Sequence, residues 1–293
     1  GYPTLRSSTH VVKDARKLGS KKDPGPATKG TSLPDSMRKE VIFDYDESIV
    51  NMRQALVELL SSGDASVIGG WGDHDEHHVR RLEDFRVPIA SLTPEPKGKN
   101  KSNMNANTGK GVQAQKSLSD LVVGDDKFME AFDAFVYKVA LPHMKKRLLE
   151  CRCSSDNAND NESESMVFYY QRPPTIRIQP GPSNRYVRTH RDSDYGHQDG
   201  ELNFWVPFTD INETKTTLWT ESYPNADDYH SVDANVGQII AFHGTTCRHY
   251  VPPNPTPATR ISMDFRIGVK GYFDPEWMMK GTANDHTRRE MRF

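Results

Sequence analysis

Cysteine is scarce in this 293-residue chain, with Cys151, Cys153 and Cys247 only. An odd count without paired spacing argues against a secreted disulfide framework and fits the cytoplasm or another reducing compartment. Cys151 and Cys153 are too close for an ordinary clip, and no second cysteine pair completes a zinc site. No stretch approaches 18 apolar residues, so a membrane-spanning helix and a membrane partner are not expected. The first 30 residues hold no apolar run, so no signal peptide is visible. Gly1 in place of a Met leaves room for a presequence already removed. Neither sign of charge dominates: 38 Lys and Arg face 40 Asp and Glu, for a net charge of −2. That balance gives no general drive toward nucleic acid. Apolar residues are also sparse, at 35% against 27% charged. A chain this long buries roughly three quarters of its unfolded surface and needs no disulfide or metal to fold. The shortage of apolar residues therefore calls for a local explanation.

Three segments supply it. Residues 1–35 carry Arg6, Lys13, Arg16, Lys17, Lys21, Lys22 and Lys29 among Gly, Pro, Ser and Thr, and read as a mildly basic flexible arm. Residues 94–115 (PEPKGKNKSNMNANTGKGVQAQ) and 154–165 (SSDNANDNESES) read as polar surface insertions. Such composition cannot bury enough area to offset its ordering entropy. Without them roughly 220 residues remain, of ordinary globular composition, which lowers a two-domain expectation to one. The expected organisation is an arm over 1–35 and a single catalytic domain over 36–293. That domain divides into a helical part over about 36–150, a β core over about 166–270 and a C-terminal extension over 271–293.

Periodicity divides the remainder. Residues 46–61 place Ile49, Met52, Leu56, Leu59 and Leu60 on one helical face, with Gly63 as a stop. Residues 125–150 place Phe128, Met129, Phe132, Phe135, Val136 and Val139 on another, and Pro142 predicts a kink. From Met166 onward the period falls to two or to short apolar runs: MVFYYQ, TIRIQP, RYVRTH, ELNFWVPF, TTLWTES, GQIIAFH, HYVP and RISMDFRIGVK. That strand count suits a double-sheet jelly roll or a small barrel. The expected fold class is α+β with a mainly β core, its N-terminal helices backing one face of a β-sandwich.

The densest polar cluster lies in the β half. In His190-Arg-Asp192, residues i and i+2 of a strand point to one face, so an imidazole and a carboxylate can reach one metal. A third ligand must come from a distant strand, and His243 and His249 are the candidates. A His-x-Asp pair with a remote His is the facial triad of non-haem Fe(II) oxygenases. Downstream, Arg260 and Ser262 share a strand face, and a planar guanidinium beside a hydroxyl is built for a carboxylate.

Here the chain resembles a known family. The ordered blocks HRDSDYGHQDGELNFWVPFT, LWTES, GQIIAFHGTTCRHYVPPN and TRISMDFRI look like the 2-oxoglutarate/Fe(II)-dependent oxygenases, nearest their streptomycin-biosynthesis-type branch. The resemblance covers about 175–269. It implies a double-stranded β-helix with flanking helices and iron ligands His190, Asp192 and His249. It further implies that Arg260 receives the distal carboxylate of 2-oxoglutarate, with Ser262 hydrogen-bonded beside it. Implied cofactors are Fe(II), 2-oxoglutarate and O2, with ascorbate as the in-vitro reductant. The expected reaction is hydroxylation, or oxidative cyclisation or desaturation, at an unactivated C–H bond of an amino acid or natural-product intermediate. The rival readings are a cupin-like metalloenzyme without 2-oxoglutarate and a non-catalytic jelly-roll binding protein.

Alternatives remain within the cluster. His197-Gln-Asp199 repeats the His-x-Asp spacing but sits in a turn-like run, where His197 is instead a candidate substrate contact. His243 ends an apolar strand and competes with His249. Asn203 is a candidate donor to the co-substrate, and Trp205 a candidate pocket wall. Arg177 and Arg188 are candidate partners of a substrate carboxylate, whereas Arg266 is most simply structural. The run His74-Asp-Glu-His-His78 lacks the HExxH order and reads as a solvated loop or a substrate lid. The expected partner is a small molecule rather than nucleic acid or membrane, and the sequence gives no oligomeric state.

Overall fold

The computed structural model describes residues 32–72, 79–87, 118–153, 166–277 and 287–293. The basic arm up to residue 31, both polar insertions and the His74–His78 run lie outside the described residues. Among those described, no helix is long and apolar enough to cross a membrane.

The helical half is shorter and more interrupted than its periodicity suggests. After a single helical turn at Asp35–Arg38, the first of the two expected helices spans Met52–Leu60, because Asn51 caps it by accepting from the Gln54 N–H at 2.8 Å. The expected start at residue 46 fails, since the Asp46 carboxylate accepts from the Ser48 N–H and forms a local turn. Ile49 is consequently 48% exposed rather than on the buried face. The second helix opens at Asp126–Phe135 under an Asp125 cap, widens to a π-helical turn at Val136–Ala140 and continues as Leu141–Cys153. The widened turn lies where Pro142 withholds its N–H from the ladder, so the disturbance expected at this proline is met by a π-turn.

Thirteen strands are present among the described residues: β1 (Val41–Asp44), β2 (Gly70–Trp71), β3 (Phe85–Arg86), β4 (Val167–Gln171), β5 (Thr175–Gln179), β6 (Val187–His190), β7 (Glu201–Pro207), β8 (Trp219–Thr220), β9 (His230–Ser231), β10 (Gln238–Phe242), β11 (His249–Val251), β12 (Arg260–Val269) and β13 (Arg288–Arg292). All eight sequence-predicted strands occur. Strands β1 and β13, from the expected helical half and C-terminal extension, were not predicted. β13 is largely charged and β1 is only four residues long; both are half-exposed and are held by pairing along an edge of the sheet.

The pairing is antiparallel. Seven strands form one sheet in the order β1-β10-β7-β12-β4-β13, with β5 also paired to β12; four form a second, β6-β11-β8-β9. β12 is the spine of the larger sheet and is buried along its whole length. Ile261, Met263, Phe265 and Ile267 turn to one face and join Phe204, Phe132 and Phe135 in the main core. Phe265 stacks on Phe204 and meets Phe132 edge-on, both with ring centroids 5.3 Å apart. The helices thus back this face. The alternate residues of β12 turn the other way, toward the four-stranded sheet. There a smaller apolar cluster of Trp205, Leu218, Val232, Ile240, Phe242 and Val251 lies. The fold is mainly β, with antiparallel sheets and helices against one of them.

Candidate metal and carboxylate site

Strand register decides which polar residues meet. His190 on β6 lies directly opposite His249 on β11. Asp192 follows β6 in a short 3-10 turn, and its backbone N–H donates to the Gly244 carbonyl at 2.9 Å. One ligand atom from each of His190, Asp192 and His249 lies within 4.8 Å of the other two. Asp192 Oδ1 stands 3.6 Å from His190 Nε2 and 3.5 Å from His249 Nε2. Each imidazole donates from Nδ1 to a backbone carbonyl, that of Arg188 at 2.7 Å and of Cys247 at 3.1 Å. A carbonyl can only accept, so each Nδ1 carries a proton and Nε2 is the ring atom turned toward Asp192. Burial, helped by the neighbouring His249, pushes His190 down to about 3, which keeps it neutral as a ligand requires.

Asp192 is gripped from behind. Its Oδ2 accepts from Arg266 at 2.8 Å and from the Asn203 amide. Burial alone would raise its pKa, but the Arg266 guanidinium and the nearby His249 outweigh it and hold the carboxyl well below the usual range. Asn203 Oδ1 accepts from the Gly244 N–H at 3.1 Å. A Cβ at Gly244 would come within 2.8 Å of that amide, so only glycine allows this approach. Arg266 also donates to Gln171 and to Asp264, leaving none of its three nitrogens unengaged. On sequence alone Arg266 is most simply structural; the structure instead sets it directly on the Asp192 carboxylate. Its place on the period-two series Arg260, Ser262, Asp264, Arg266 was the signal that it shares their face.

Arg260 shows the opposite situation. Its Nε and Nη2 and the Ser262 Oγ are buried with no hydrogen-bond partner among the described residues. Burial, and secondly the Arg177 charge, push Arg260 down to about 9. Its guanidinium carbon lies 5.4 Å over the Trp205 ring. A buried cation and hydroxyl left unpaired side by side are costly unless an anion completes them.

Most of these groups line one cavity, with about 400 Å³ of empty space including its open mouth. His190, His249, Asn203, Trp205, Arg177, Arg260, Asp264 and Arg266 face it, walled by Val187, Leu218, Phe242 and Val251. Four sequence candidates, Asp192, Ser262, His197 and Arg188, are not among its lining. His197 is buried against Glu201, with Nδ1 to Oε2 at 3.3 Å, and Arg188 is exposed. His243 is engaged at both nitrogens, by Thr246 Oγ1 at 2.6 Å and the Asp199 carbonyl at 3.1 Å.

No family model matches this sequence. The chain is similar to the streptomycin biosynthesis protein StrG of Streptomyces griseus, 36% identical over 109 residues. The match covers 37% of this chain and spans about half, 51%, of that relative. The resemblance to the streptomycin-biosynthesis type, read from the four sequence blocks, is thereby borne out. Solved structures with some likeness include the 2-oxoglutarate-dependent carbocyclase SnoK of nogalamycin biosynthesis. It is 11% identical, over 82% of this chain and 87% of that one, with a TM-score of 0.38. Another is the apo non-haem monooxygenase ThoJ, 15% identical over 82% of this chain and 76% of that one, with a TM-score of 0.37. Likenesses this remote carry no weight for what this chain does.

Proposed function

We propose that the chain is a non-haem Fe(II)/2-oxoglutarate-dependent oxygenase acting on an unactivated C–H bond of a small molecule, an amino acid or natural-product intermediate. The observation that carries the reading is the pairing, in one cavity, of a His-Asp-His cluster with an unpartnered Arg260–Ser262 pair. The double-stranded β-helix and the single catalytic domain over 36–293 belong to the same proposal. The donor set fits the metal: two imidazoles and one carboxylate on one side leave the cavity side open for further ligands. The orphaned guanidinium and hydroxyl fit the distal carboxylate of the 2-oxo acid. A cupin-like or non-catalytic reading gives them no partner.

In this mechanism His190, Asp192 and His249 would hold Fe(II). Arg260 and Ser262 would fix the distal carboxylate of 2-oxoglutarate, and Trp205 would lie beneath that guanidinium. Iron, 2-oxoglutarate and O2 supply an oxidant able to remove hydrogen from an unactivated C–H bond, the 2-oxo acid leaving as succinate and CO2. The protein orients and excludes water. Arg266 and Asn203 occupy Oδ2 of Asp192, which leaves Oδ1, the oxygen facing His190 and His249, as the one that would serve as a ligand. Val187, Leu218, Phe242 and Val251 keep the reacting side dry. No side chain of the cluster is required as a base.

The test is succinate release in the presence of iron and ascorbate, screened against amino acids and their N-substituted derivatives. Turnover that depends on 2-oxoglutarate and is abolished by Arg260→Ala is expected. Turnover unchanged in Arg260→Ala, or an oxidation needing no 2-oxo acid, would overturn the reading.

A further inference from the structure

Three guanidiniums and two carboxylates gather at the cavity: Arg177, Arg260, Arg266 and Asp264 line it, and Asp192 is paired to Arg266. One positive charge is therefore in excess. A divalent cation and a dianionic 2-oxo acid cancel each other, so loading the site as proposed above leaves the excess in place. Arg266 has no spare donor, and Arg260 is matched by the distal carboxylate in that reading. Arg177 is the cation with capacity left. Its Nε donates to Asp264 Oδ1 at 2.6 Å and its Nη2 to Asp264 Oδ2 at 3.3 Å. Nη1 has no hydrogen-bond partner among the described residues. Asp264 is also shared with Arg266, so it does not fully neutralise Arg177.

The position of Arg177 is as informative as its charge. On β5 it pairs with Ser262, one step along the same face from the Gln179–Arg260 pair. Its side chain is 36% exposed, and it lines the cavity. It lines the same cavity as His190, His249 and Arg260. Two of its nitrogens are fixed on Asp264, so the guanidinium plane is held and the free edge needs little ordering to meet a ligand.

We propose that Arg177 is a second carboxylate anchor in this cavity, distinct from Arg260, with its free edge directed at an anion bound between Arg260 and the metal cluster. That carboxylate is either the metal-side carboxylate of the 2-oxo acid or one carried by the substrate. The inference rests on the proposed metal and 2-oxoglutarate site for the charge balance, and its test separates the two.

The experiment uses the full chain loaded with Mn(II), comparing wild type, Arg177→Gln, Arg177→Lys and Arg260→Gln. Calorimetry measures 2-oxoglutarate binding. Thermal melting then measures stabilisation of the protein, with Mn(II) and 2-oxoglutarate, by acetate against its neutral isostere acetamide. A loss of 2-oxoglutarate affinity of about tenfold or more in Arg177→Gln assigns the anchor to the 2-oxo acid. Affinity held within about twofold, with the preference for acetate over acetamide lost, assigns it to the substrate. Unchanged 2-oxoglutarate affinity together with no acetate preference in wild type, or one that survives in Arg177→Gln, overturns the proposal. Arg177→Lys keeps a counter-charge for Asp264 but lacks the planar fork. It separates the same outcomes if the Gln variant folds poorly. If Arg260→Gln leaves 2-oxoglutarate binding intact, the functional reading fails by itself, and acetate against acetamide with Mn(II) alone still decides Arg177.

Discussion

On β12, Ile261, Met263, Phe265 and Ile267 turn toward the helices, while Arg260, Asp264 and Arg266 turn toward the cavity. Both faces are equally buried, yet they are stabilised differently. The helix side gains mainly from apolar area and ring packing. The cavity side holds charges in a low-dielectric space. Some are matched internally, as Arg266 with Asp192. Others, Arg260 above all, lack a partner. A buried face that is stable on one side of a strand and unsatisfied on the other marks the second side as a ligand site.

Substitutions on each face sharpen this contrast. Phe265→Ala removes a ring packed on three others and should cost about 3–5 kcal/mol. Denaturant melts should show that loss, while the Mn(II) affinity of the folded fraction stays within about twofold. A large drop in affinity at equal folded fraction would mean the two faces are not separable.

His143 probes a polar group on the helix side. It stacks on Phe43 at 3.8 Å, with its Nε2 buried and unpartnered, and burial pushes it down to about 4. Between pH ~6.5 and ~4 the unfolded chain takes up a proton that the folded chain refuses. This contribution therefore leaves stability intact above pH ~6.5 and erodes it as pH falls toward 4, by up to about 3 kcal/mol. His143→Phe should flatten the slope of the urea midpoint over that window; an unaltered slope would contradict the assignment.

Gly244→Ala acts on the cavity side at one remove. The added Cβ would collide with the Asn203 amide that holds Asp192, for about 1–3 kcal/mol. Metal affinity should fall with stability, the reverse of Phe265→Ala. Arg260→Met has the smallest effect on the free protein. Removing an unpartnered buried cation should leave the melting temperature unchanged or raise stability by about 1 kcal/mol. It should also erase the stabilisation conferred by 2-oxoglutarate with Mn(II). A strongly destabilised Arg260→Met would show that this guanidinium is structural.

Much of this was legible in the residues. Period-two runs located eight strands, because each buries at least one face and so carries the pattern. β1 and β13 were missed because edge pairing holds them. The helix expected from residue 46 began late because Asp46 closes its own turn, a local choice that periodicity does not weigh. His190-x-Asp192 and Arg260-x-Ser262 were readable as pairs, since i and i+2 on a strand share a face. What joins them was not. His249 meets His190 through register between β6 and β11, and Arg266 reaches Asp192 across 74 positions.

By itself, then, the sequence determined which residues share a face on each strand. That follows from backbone geometry, which is local. Tertiary structure decided which faces look at each other, and so which histidine completes the cluster, which guanidinium is matched and which is left free. Those outcomes depend on strand order and register, and these are set by burying the whole core at once rather than by any short run of residues.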